Sequence, residues 1–184
     1  MKIDPYSIIK HQYRGFEKAR DILLEHSEAV ADKAIVIAQR QGLSQKEIEF
    51  IKEASLLHDI GMYLTNAPSI ACYGSAPYIC HGFMGHDLLV AEGWPIHALV
   101  CERHTGTGLS LDDIRSQNLP LPLRSMEPVS LPEKIIAYAD KFFSKNPGKL
   151  GQEQDVERVR EKMLKHGVDK LKIFDEWHNL FGGE

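Results

Sequence analysis

Cysteine is scarce: three residues, Cys72, Cys80 and Cys101, occur in a chain of 184. The count is odd and no Cys-x-x-Cys pair occurs, which speaks against a disulfide framework and for a reducing compartment, the cytoplasm. No stretch approaches the roughly 18 uninterrupted apolar residues of a membrane span, so none is expected. The opening Met1-Lys2-Ile3-Asp4-Pro5-Tyr6 has an early Asp and no apolar run, so a secretory signal is not expected either. A basic run is missing as well. With 22 Lys and Arg against 26 Asp and Glu, the formal charge is −4, a poor match to nucleic acid. Also absent are a repeat, a low-complexity tract and any alternating Val/Ile/Thr-rich run that would read as a strand. What the chain has in excess is histidine, nine residues, the side chain that titrates near neutrality and the commonest metal ligand.

With 43% hydrophobic and 26% charged residues the composition is that of a folded protein, and the length predicts one domain over residues 1–184. The apolar spacing predicts helices nearly throughout. Between Phe16 and Arg40, Ile22, Leu23, Ala29, Val30, Ala34, Ile37 and Ala38 recur at three- and four-residue steps. Ser44 with Glu47 reads as a capping box opening a helix to Gly61. Residues 62–80 read as a loop with little regular structure, and a loop of that length is often functional. Further helices are expected over 81–92, from Pro95 to about His104, over 110–117, and from Pro132 to Ser144. C-terminal helices are expected over 152–166 and 168–181. The expected class is all-α, a helical bundle.

Five of these helices carry an ionisable residue on the apolar stripe. His26 lies four residues from both Ile22 and Val30; His58 and Asp59 follow Ser55 by three and four. His81 precedes Gly85 and Leu88 by four and seven, His104 follows Val100 by four, and Asp140 follows Ile136 by four. Burying four imidazoles and two carboxylates without partners would cost several kcal/mol each. One or two cations would satisfy all six. Mixed His and carboxylate donors suit iron or manganese, with zinc, cobalt or nickel also compatible, rather than calcium or a thiolate zinc site. An adjacent His-Asp pair can bridge two ions, and such a pair of ions can clamp a phosphoryl group.

The order His26, His58-Asp59, His81, His104, Asp140 resembles the HD-domain superfamily of metal-dependent phosphohydrolases. Leu56-Leu57-His58-Asp59-Ile60-Gly61 is similar to its central HDIG signature. His26-Ser27-Glu28-Ala29-Val30-Ala31, His81-Gly82-Phe83-Met84-Gly85, Arg103-His104-Thr105-Gly106 and Ala137-Tyr138-Ala139-Asp140-Lys141 resemble its other elements. The likeness spans about residues 20–145, leaving an N-terminal extension (1–15) and the C-terminal helices, and looks closest to small stand-alone HDIG proteins. It implies a single-domain HD bundle around a central metal site. It further implies that His26, His58, Asp59 and Asp140 hold one ion and that Asp59, His81 and His104 hold a second. Asp59 and His58 would form the catalytic heart, a metal-bridging hydroxide would attack phosphorus, and the substrate would be a small phosphorylated molecule of the nucleotide kind. Many relatives have a basic residue directly after the HDIG segment; here Met62 stands there, so Lys141 is the expected replacement contact, with Arg103 and His86 as weaker ones. The Gly-Tyr-Pro tripeptide of the branch that opens cyclic di-guanylate is absent, which disfavours that substrate.

Three rivals share the site. Some HD proteins resemble this one in ligands yet are mixed-valence di-iron oxygenases, and Tyr13, Glu17, Tyr63, Tyr73 and Tyr78 leave that chemistry open. A non-catalytic metal- or nucleotide-binding module is the second, although such modules usually lack ligands that this chain retains. Cys72, Cys80, His81, Cys101 and His104 could be drawn as a zinc cluster, but small buried apolar cysteines are the simpler reading. Val156, Val159, Met163 and Leu164 form a stripe that could serve as a homodimer seam.

Overall fold

The computed structural model describes residues 3–182. Its helices are α1 (Pro5–Gln12), α2 (Glu17–Arg40), α3 (Gln45–Leu57), α4 (His81–Ala91), α5 (Pro95–Arg103), α6 (Leu111–Ser116), α7 (Leu131–Asp140), α8 (Val156–His166) and α9 (Val168–Phe181). Short polar residues start most of them by satisfying free backbone N–H groups. The Ser44 and Glu47 side chains close a capping box on α3, Ser110 and Asp113 do the same on α6, and Asp4, Ser130 and Asp155 cap α1, α7 and α8.

The apolar stripes build two main cores. One joins Val30, Ala34 and Ile37 of α2, Ile51 of α3, Ile136 of α7, and Phe174, Trp177 and Phe181 of α9. The other joins Ile9 of α1, Leu23 of α2, Leu57 of α3, Leu89 of α4 and Ala98 of α5, with Ile60 and Met62 between helices. Burying each larger aliphatic side chain contributes about 1.5–3 kcal/mol. Helix α2 runs through both cores, and His26 falls between Leu23 of one and Val30 of the other. Helix α3 repeats the arrangement, with Ile51 in the first core and Leu57, next to His58, in the second. The ionisable residues therefore lie at a polar seam between two apolar masses.

Close approach at the seam depends on glycines that leave room. A Cβ on Gly61 would lie 2.3 Å from the carbonyl oxygen of His81 and 2.4 Å from the amide nitrogen of Gly85. A Cβ on Gly85 would lie 2.4 Å from Cys101 Sγ. The turn after His58-Asp59, the start of α4 and the middle of α5 can thus meet only without side chains there.

Several expectations need correction. The 62–80 segment is ordered by three single-turn 3₁₀ pieces and a two-residue antiparallel ladder, β1 (Asn66–Ala67) with β2 (Cys72–Tyr73). Helix α3 ends at Leu57, not Gly61, because the backbone tightens there into three-residue turns, with Ile60 N–H donating to the Leu57 carbonyl and Met62 N–H to that of Asp59. Helix α7 ends at Asp140, not Ser144, for the same reason. Apart from these corrections, the N-terminal extension carries α1, packed by Ile9 and by Tyr13 just after it.

Candidate metal centre

The structure brings His26, His58, Asp59, His81, His104 and Asp140 together, and all six are buried. Single ligand atoms of His26, His58, Asp59 and Asp140 lie within 4.8 Å of one another, and so do those of Asp59, His81 and His104. The two carboxylate oxygens of Asp59 divide between the sets. Oδ2 lies 3.0 Å from His58 Nε2 and 3.3 Å from His26 Nε2; Oδ1 lies 3.2 Å from His81 Nε2 and 3.3 Å from His104 Nε2. Asp140 Oδ1 closes the first set, 3.0 Å from His26 Nε2 and 3.5 Å from His58 Nε2.

Three imidazoles are held in the same way. Nδ1 of His58 donates to the carbonyl of Ser55 at 2.6 Å, that of His81 to Tyr78 at 2.6 Å, and that of His104 to Cys101 at 2.7 Å. Spending Nδ1–H on the backbone leaves Nε2 of each neutral ring with its lone pair facing the centre. His81 Nε2 and His104 Nε2 face each other at 3.0 Å, beside a carboxylate oxygen. His58 Nε2 and both Asp59 oxygens have no hydrogen-bond partner. Converging imidazole lone pairs and carboxylate oxygens, buried together, are the donor set a divalent cation requires. The residues fit metal.

The electrostatics reflect the same demand. Burial would raise the Asp59 carboxyl, but Lys145, His58, His104 and His26 outweigh it and hold it well below the usual range. Burial opposes ionisation of Asp140 too, and Lys141, Lys145, His26 and His58 overcome it. For His58, burial favours the neutral ring, yet Asp59 and Asp140 lift its pKa to about 9. His104 goes the other way: burial, with repulsion from His58 and His81, lowers it to about 4 against the pull of Asp59. One carboxylate-rich set therefore attracts a proton that a metal would replace, and the other contains an imidazole already free of one.

The remaining candidates fall in different places. Lys141 Nζ donates to Asp140 Oδ2 at 2.7 Å and to the His104 carbonyl at 3.2 Å, so its charge supports a ligand. Arg103, half-buried, is engaged with Glu133 at 3.1 Å. His86 pairs with Asp87 at 2.9 Å and belongs to neither donor set. Among the described residues no cysteine joins a candidate metal group; the three are free and buried. Tyr13 is buried with its hydroxyl on the Ile60 carbonyl, Tyr63 donates to Gln12, Glu17 accepts from the Gly15 amide, and Tyr73 is exposed. Tyr78 alone of that group stacks on a ligand, 4.6 Å from the His81 ring.

Sequence reasoning missed Lys145. Its Nζ lies 2.5 Å from Asp59 Oδ2 and 4.0 Å from Asp140 Oδ1, and its side chain is only 16% exposed. Burial disfavours its charge, but Asp59, Tyr78 and Asp140 reverse the balance and raise its pKa. The signal available was weak: a lysine five residues past Asp140, beyond the end of α7, where helical spacing no longer places it.

The HD domain family model matches residues 23–144. Over 90% of its length the chain is 31% identical to an uncharacterized protein of Methanocaldococcus jannaschii, covering 98% of that protein. It is 27% identical over 154 residues to a protein of Thermoplasma volcanium named tRNA (cytidine(56)-2'-O)-methyltransferase, and 30% identical over 129 residues to one of the same name from Picrophilus torridus. These matches take in 83% and 70% of this chain but only 40% and 33% of those two proteins. Among solved structures, the HD domain of the L. monocytogenes phosphodiesterase PgpH superposes with a TM-score of 0.54 over 95% of each chain, at 17% identity. That likeness is one of fold.

Proposed function

The chain belongs to the HD domain family, and on that premise we propose that it is a metal-dependent phosphohydrolase cleaving a phosphoester or phosphoanhydride of a small, nucleotide-like substrate. The observation that carries the reading is the division of Asp59: one oxygen faces the His26, His58 and Asp140 set, the other faces His81 and His104. A bridging carboxylate between two donor sets supports a dinuclear centre. His26, His58, Asp59 and Asp140 would hold one ion; Asp59, His81 and His104 would hold the other. Two divalent transition-metal ions, iron or manganese first, would supply an activated water and neutralise charge developing on the phosphoryl oxygens.

The chain's own groups do the positioning. The carbonyls of Ser55, Tyr78 and Cys101 fix three rings by their Nδ1 atoms. Lys141 occupies the Oδ2 side of Asp140 and leaves Oδ1 turned to His26 and His58. Lys145 is the cation best placed to meet a phosphoryl oxygen, ahead of Arg103 and His86. The buried free cysteines support action in a reducing, cytoplasmic setting.

The test is phosphate release from a panel of nucleotides and other phosphoesters, using manganese- or iron-loaded protein with Asp59→Ala as control. The panel should include nucleotides derived from RNA ends, because two relatives carry a tRNA-modifying name. Turnover lost in the variant supports the reading. Silence across the panel in protein holding two ions per chain would overturn it and favour the oxygenase chemistry, detected as iron-dependent oxygen uptake.

A further inference from the structure

An open cleft of about 420 Å³ lies beside the metal centre, lined in part by Ser69, Tyr78, Ser144, Lys145, Asn146 and Lys162. No Asp or Glu is among its lining residues. Its two charged residues are lysines, in a chain whose net charge is −4. Hydroxyls, an amide and ammonium groups without a carboxylate make a wall that donates hydrogen bonds, the chemistry that recognises phosphate oxygens. The cleft between α1, α2 and α3 mixes Asp4, Glu49 and Glu53 with Lys52, and the one beside α2 sets Asp32 and Glu153 against Lys33; a third, lined by Thr105, His166 and Lys170, also lacks a carboxylate, but its lysine is paired with Asp113 and none of its lining residues touches Asp59.

The cleft is built, not incidental. Lys145 connects it to the centre through its contact with Asp59. Lys162, on α8, reaches Gln154, and Gln154 is keyed to the Phe142 carbonyl by both its backbone and side-chain N–H groups. Phe142 lies two residues past Asp140, so this chain of bonds registers Lys162 against the ligand end of α7. Burial and the nearby charges of Arg158, Lys149 and Lys141 depress the Lys162 ammonium, while Asp140 opposes them. Lys141 and Lys145 are paired with Asp140 and Asp59, whereas among the described residues no carboxylate pairs with Lys162, whose ammonium meets the Gln154 amide oxygen; a second phosphoryl group would supply the anion it lacks.

We propose that this cleft is a second phosphate subsite, in which Lys145 and Lys162 hold a phosphoryl group other than the one attacked, so that the substrate carries at least two. The assignment rests on the phosphohydrolase reading and names its substrate class. Binding is measured by calorimetry on metal-loaded protein with two probes that resist hydrolysis, methylphosphonate and methylenediphosphonate, at equal free metal. The wild type should bind the diphosphonate roughly tenfold or more tightly than the monophosphonate, a preference that weakens with salt. Lys162→Gln should lose most of that preference while binding methylphosphonate as before; Lys162→Met, which keeps the apolar stem, serves if Lys162→Gln does not fold. Equal affinity for the two probes, or a preference untouched by both variants, overturns the subsite. Lysine-dependent diphosphonate binding in a protein that hydrolyses nothing would instead overturn the hydrolase reading and leave the subsite standing. Hydrolysis with no such dependence would do the reverse.

Discussion

Asp59 stands between the two donor sets. It is fully buried, it touches four imidazoles and one lysine, and neither oxygen has a geometrically sound hydrogen bond. Asp59→Asn should keep the shape and lose the shared charge, lowering turnover by about a hundredfold or more, since metal activation of water is lost with it. His58 gives a pH prediction of definite sign. Its pKa rises from 6.5 to about 9 in the folded, metal-free chain, so its protonated form contributes stability fully below pH 6.5 and loses that contribution as pH climbs through about 9. The contribution is on the order of 3 kcal/mol. Thermal unfolding of chelator-treated protein should therefore show a midpoint falling from pH 6.5 to 9. Metal-loaded protein should not lose stability over that range, because metal needs the neutral ring and binds better as the proton leaves. The six inward residues were legible because each sits on an apolar stripe, where a charged group demands a partner. Lys145 was not, because it lies past the end of α7, where the helical period no longer reports direction.

The elements position these residues through where they stop. His58 and His104 follow the last residues of α3 and α5, His81 opens α4, and Asp140 ends α7. Helix existence was readable from period and caps, and α9 falls on its expected bounds. The stops of α3 and α7 were overrun, because apolar spacing continues through Ile60 and Phe143 while the backbone has already turned. Gly61 shows what a stop requires. Its φ of −81° suits any residue, so the demand is for space. Gly61→Ala would drive a methyl into the backbone of His81 and Gly85, and should cost about 2–3 kcal/mol. A fall of roughly 5–10 °C in unfolding midpoint, together with weaker metal retention as His81 is displaced, is the expected result. Ser44→Ala, remote from the centre, should cost only about 1 kcal/mol by removing the cap of α3 and should leave metal content unchanged.

At the scale of the molecule, two apolar cores meet at a polar seam that is costly without cations. The C-terminal stripe adds to this framework: Val159 and Met163 are buried in the first core and Val156 packs against it, leaving Leu164 as the exposed member. Most of that stripe is thus spent on the fold. No helix among the described residues is long and apolar enough to cross a membrane. The stability of the seam should follow metal by mass action, so a chelator should lower the unfolding midpoint by roughly 5–10 °C relative to protein held at a hundredfold excess over Kd. The most direct test of the central claim is the metal content per chain after equilibration with manganese and removal of loosely bound ions. The account predicts two ions in the wild type and fewer than two in Asp59→Asn, with His81→Ala losing one. A wild type that saturates at a single ion, or an Asp59→Asn protein that still holds two, would contradict it.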